Sequence, residues 1–141
     1  MLKSITIESW DCSLRQANGN PAAKKLTLRS NGHVIFVEKD FGDKENTSII
    51  THKTFDKEGV RKLLDKAEKL FTPAILSTDI KTWFCDACPD MITLKKENGE
   101  VIYGQLNYLT YELNEVVGFY DDIEKSLNFN VDLTFENESN N

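Results

Sequence analysis

The chain has 141 residues, 40% hydrophobic and 28% charged, with a net charge of −6. That is enough for one domain with a real core and too apolar for a disordered chain. Residues 1–70 hold 13 Lys/Arg against 10 Asp/Glu (+3) and residues 71–141 hold 4 against 13 (−9), a balance that disfavours nucleic acid and favours a basic protein partner.

In chain order, Leu2 to Trp10 alternates polar and apolar residues and reads as a strand with Ile5 and Ile7 inward. It lacks the continuous apolar block of a signal peptide, and no later run approaches the roughly 18 residues of a membrane span. A cytoplasmic protein without membrane contact is expected. Leu26 to Phe36 then reads as a β-hairpin about Asn31-Gly32, because Asn-Gly tolerates the positive φ that a tight primed turn requires. Ser48 to Lys53 is a short strand leading into a helix.

That first helix spans Asp56 to Phe71, with Val60, Leu63, Leu64, Ala67, Leu70 and Phe71 on its apolar stripe. Asp56 is placed to cap it, Phe55 and Val60 have the spacing of a hydrophobic staple, and Pro73 stops it. Its charges Lys57, Arg61, Lys62, Lys66 and Lys69 alternate with Glu58, Asp65 and Glu68, the pattern of a solvated face with i,i+4 pairs. Ile92 to Tyr103 repeats the hairpin about Asn98-Gly99. A second helix follows over Leu109 to Leu127, with Leu109, Leu113, Val116, Val117, Tyr120, Ile123 and Leu127 along one stripe. Phe129, Val131, Leu133 and Phe135 alternate as a final strand or an ordered tail, and 136–141 is a polar, frayed end.

The fold class expected is α+β, one domain over 1–135. An antiparallel sheet is built from the two Asn-Gly hairpins, and the two amphipathic helices pack on one face. Trp10-Asp11-Cys12 and Trp83-Phe84-Cys85 precede the two hairpins with the same Trp-x-Cys pattern, which is consistent with an internal duplication.

Chemistry-bearing motifs are few. Cys85-Asp86-Ala87-Cys88 has the bite of half a zinc site, but Cys12, His33 and His52 do not supply a second pair at ligand spacing. Pro89 and the strand that follows oppose a redox helix N-terminus. Three cysteines are too few and odd in number for a secreted disulfide framework and fit reduced thiols. The seven glycines form no phosphate loop, and no hydrolase or metalloprotease motif is present. No catalytic set, cofactor or metal site is therefore assigned.

The second helix offers the most distinctive surface. At 100° per residue, Tyr111, Glu115, Gly118 and Asp122 lie opposite the apolar stripe, with Glu112 and Phe119 on its flank. Tyr111, Glu112, Glu115, Phe119 and Asp122 are accordingly the candidate partner-binding residues: the rings supply contact area and the carboxylates supply orientation. The function expected is a small, acidic, non-catalytic protein-binding module. In size, charge and α+β character it is similar to inhibitor and immunity-type proteins that act on basic partners. The alternatives are an enzyme with a site assembled from scattered residues and a zinc-stabilised domain using Cys85 and Cys88.

Overall fold

Alternating apolar residues pair across strands so that each buries against its neighbour's, and this register organises the chain. The computed structural model describes residues 1–10, 23–39, 48–73, 75–77, 90–106 and 114–127. They form β1 (Leu2–Trp10), β2 (Ala23–Arg29), β3 (His33–Lys39), β4 (Ser48–Thr54), α1 (Lys57–Leu70), β5 (Leu76–Ser77), β6 (Met91–Lys96), β7 (Val101–Leu106) and α2 (Asn114–Leu127). The strands make one sheet in the order β4-β3-β2-β1-β6-β7-β5, and every neighbouring pair is antiparallel. The class is α+β. The expected final strand over Phe129–Phe135, the tail 136–141 and the helical start over Leu109–Leu113 lie outside the described residues, as do Cys12, Cys85 and Cys88.

Two apolar rows cross the sheet on one face. Leu94, Ile5, Leu28 and Val34 pair in sequence across β6, β1, β2 and β3, and Ile92, Ile7, Leu26 and Phe36 form the next row. All eight are buried and join the residues of both helices in a single hydrophobic cluster. Each such side chain contributes about 1.5–3 kcal/mol by leaving water. The other face carries Thr6, Thr27, Thr93, Ile35, His52 and Tyr103 in one cross-strand row, with Tyr103 and Ile50 of the same face exposed.

Both Asn-Gly pairs sit in turns between antiparallel strands, but not at the centre of a two-residue primed turn. The Gly32 N–H donates to the Arg29 carbonyl at 2.9 Å and the Gly99 N–H to the Lys96 carbonyl at 3.1 Å. Each glycine therefore ends a four-residue turn, and it is this terminal position that holds positive φ, 88° and 92°. The Asn side chains direct the geometry: Asn31 Oδ1 accepts from the His33 N–H and Asn98 Oδ1 from the Glu100 N–H, both at 2.9 Å. This is the local side-chain hydrogen bond that makes Asn a turn former. The hairpins join the sheet differently. The strand preceding β2 pairs with β2, the first strand of its hairpin, whereas β5, preceding β6, pairs with β7, the second.

The first helix begins and ends where its caps dictate. Asp56 Oδ2 accepts from the Gly59 N–H at 3.3 Å, satisfying one of the unpaired donors of the first turn, and the Phe71 N–H closes the last turn on Ala67. α1 packs on β1, β2 and α2. Arg61 departs from the solvated-face expectation: its Nη1 donates to the Leu2 carbonyl at 2.9 Å, and its guanidinium stands 3.5 Å from Glu97 and 3.8 Å from Asp65. It ties the helix to the start of β1 and to the β6–β7 turn. Among the described residues, no helix is long and apolar enough to cross a membrane.

Candidate functional site between the helices

The second helix is seated by an apolar stripe and one polar anchor. Val116, Phe119, Tyr120, Ile123 and Leu127 are buried, at spacings of three and four residues that keep them on one side of a helix. Tyr120 carries its hydroxyl into the core, where a lone polar group would be costly. It donates to Asp90 Oδ2 at 2.6 Å, and Ser9 Oγ donates to Asp90 Oδ1 at 2.9 Å. Asp90 is 2% exposed, and its carbonyl accepts the Leu106 N–H. Asp90, at the start of β6, thus joins β1 and α2 through its buried carboxylate and the end of β7 through its backbone carbonyl.

This seating turns α2 differently from the sequence-based stripe. Phe119, expected on the exposed flank, is 3% exposed and meets Phe71 edge to face at a centroid distance of 5.5 Å. Val117, expected inside, is 47% exposed. The cause is α1: because α2 packs on α1 as well as on the core, the side of the helix carrying Phe119 is covered and that carrying Val117 is left to solvent. Phe119 is therefore a core residue that forms the floor of a groove and projects no free ring towards a partner.

The covered side opens into a shallow groove of about 420 Å³, lined by Lys66, Lys69 and Leu70 of α1 and by Glu115, Gly118, Phe119 and Asp122 of α2. Three of the five anticipated residues, Glu115, Phe119 and Asp122, converge there; Tyr111 and Glu112 lie outside the described residues. Glu115 is exposed at the rim. Asp122 Oδ2 accepts from Lys66 Nζ at 2.7 Å across the groove, with the two side chains 40% and 60% exposed. Sequence reading missed the contribution of α1. Lys66 and Lys69 have the i,i+3 spacing of one helix side, but nothing in the chain shows which side a second helix will adjoin.

The groove combines an apolar floor with two carboxylates and two ammonium groups on its walls. Gly118 leaves space in its side: a methyl group there would meet no atom within 4 Å. Such a surface is suited to taking a side chain from another molecule; it presents no nucleophile–base pair. Among the described residues no group of three or more His, Cys, Asp or Glu side chains gathers.

Comparison with known proteins finds no family model that matches the chain and no curated protein that matches it.

Proposed function

We propose that this protein is a non-catalytic protein-binding module that receives a basic partner at the groove between α1 and α2, in the manner of an inhibitor that occupies its target's surface. The observation that carries the reading is the convergence of Glu115, Asp122 and Phe119 with Lys66, Lys69 and Leu70 on one groove whose floor is apolar. An arginine from a partner suits it: the planar guanidinium pairs with carboxylates through two parallel hydrogen bonds, and its aliphatic stem lies along the apolar side of the groove at Leu70. The Lys66–Asp122 pair does not block this. An ion pair this exposed is worth about 0–1 kcal/mol, so a better donor displaces Lys66 at little cost. The rigid seating of α2 on Asp90 and the core supports the same reading, since pre-ordered side chains bind with less entropic loss. The acidic second half of the chain adds electrostatic steering of a basic partner.

A photo-crosslinking amino acid at Lys69, compared with one at Ile50 on the far edge of the sheet, tests this in host cells. The expected result is a covalent adduct with a basic protein from position 69, lost when Glu115→Lys and Asp122→Lys are combined. Adducts formed only from position 50, or unaltered by the double reversal, would remove the groove from the proposal. We extend the reading to ancestry: the shared Trp-x-Cys and Asn-Gly patterns fit duplication of a hairpin-plus-helix unit, with the strands that precede the two hairpins pairing differently since.

A further inference from the structure

The face of the sheet opposite the helices carries both histidines of the chain. His33 lies on β3 opposite Thr54, and His52 lies on β4 opposite Ile35. The two are thus diagonal neighbours on one face, where long side chains reach each other. Their rings stack at a centroid distance of 5.2 Å and an interplanar angle of 18°, with His33 Nε2 and His52 Nδ1 3.1 Å apart. His52 is exposed and His33 half-buried, so the pair is open to solvent on one side and held on two hydrogen-bonded strands on the other.

We infer that His33 and His52 form a two-imidazole site for a divalent transition-metal ion of the Zn²⁺ class. Neutral imidazole is the commonest protein ligand for such ions. Two nitrogens bound to one tetrahedral Zn²⁺ at about 2.0–2.1 Å stand roughly 3.3–3.4 Å apart, so the existing separation of 3.1 Å needs only a few tenths of an ångström of opening, while both rings must turn by roughly 35° from facing each other to aim their lone pairs at one ion. In the metal-free pair, one of the facing nitrogens donates the shared proton to the other. On binding, that proton is taken up at the other nitrogen of its own ring. His33 Nε2 and His52 Nδ1 then both present lone pairs, and a neutral pair releases no net proton. No third His, Cys, Asp or Glu side chain joins them among the described residues, so water fills the remaining positions. Because the ligands come from adjacent strands, the ion clips β4, at the edge of the sheet, to β3.

The test is titration of the full-length chain, labelled at its imidazole nitrogens, with ZnCl₂ while the ring ¹⁵N resonances are followed. His33 Nε2 and His52 Nδ1 should shift together and saturably. Either H33Q or H52Q should abolish the saturable shift of the remaining ring. Because thiols also take Zn²⁺, the same titration is run with Cys12→Ser, Cys85→Ser and Cys88→Ser combined, in which the imidazole response should persist. Ring nitrogens unmoved by Zn²⁺ in the unsubstituted chain overturn the assignment. So does a single-histidine variant that keeps the full response, which would make each ring an independent weak ligand.

Discussion

Gly32 and Gly99 hold φ of 88° and 92°, a region where an L side chain costs about 1–2 kcal/mol. Their surroundings differ. A Cβ on Gly32 would stand 2.3 Å from the Phe55 carbonyl oxygen, whereas one on Gly99 meets nothing within 4 Å. The Phe55 N–H also donates to the Gly32 carbonyl at 2.8 Å, so this turn holds the entry of α1 by close backbone approach. Gly99→Ala is expected to cost about 1 kcal/mol. Gly32→Ala should cost about 3 kcal/mol or more, because the Phe55 backbone must also move. Urea unfolding with comparable m-values would read the difference directly. At the same scale, Tyr120→Phe removes a hydroxyl donor to the buried Asp90 carboxylate and should destabilise by about 1–3 kcal/mol. Unchanged stability would mean that water or another group replaces the phenol without loss.

For whole elements, α1 was almost fully legible in the sequence because its signals are local. Asp56 supplies the cap and the stripe from Val60 to Ala67 is buried as its spacing requires; Asp56→Ala should therefore cost about 1 kcal/mol. The seating of α2 was only partly legible. Periodicity identifies a stripe, but its centre shifts when two surfaces share one helix, and the exchange of Phe119 for Val117 is that shift. The groove was half legible for the same reason: Glu115 and Asp122 are marked by charge and spacing, while Lys66, Lys69 and Leu70 join them only through packing of α1 on α2. Asp90 gave no signal at all, since Ser9 is 81 residues away and no local rule connects them. Gly118 separates stability from binding. Gly118→Ala in a helix interior with open space should stabilise by about 0.5–1 kcal/mol, raising the unfolding midpoint, while the added methyl narrows the groove and weakens partner capture. Improved capture would indicate that the partner binds elsewhere.

Across the whole molecule, β1 lies between β2 and β6, and its apolar residues Ile5 and Ile7 pair with both neighbours. Strands β2 to β4 extend from one flank and β6, β7 and β5 from the other. Amides of β1 that donate within the sheet should consequently show the slowest hydrogen exchange, near the global unfolding free energy, with those of the edge strand β4 faster. Equal protection of β1 and β4 would show that the edge has cover beyond the described strands.

The central place of the first strand also governs how the chain tolerates being divided. A break in the backbone between Ser77 and Asp90 would leave an amino-terminal piece with a four-stranded half-sheet and α1, with one flank of β1 unpaired and with β5 separated from its partner β7. The carboxy-terminal piece would keep one hairpin and α2 but lack Ser9, the rows through Ile5 and Ile7, and most of the apolar floor. The larger piece is the one with more of the buried core and is expected to approach a folded state alone more closely than the smaller. The two pieces, mixed, are expected to reassociate through the β1–β6 seam and the short β5–β7 pairing, so the longest-range strand pairing among the described residues would serve as the recognition surface of a split protein.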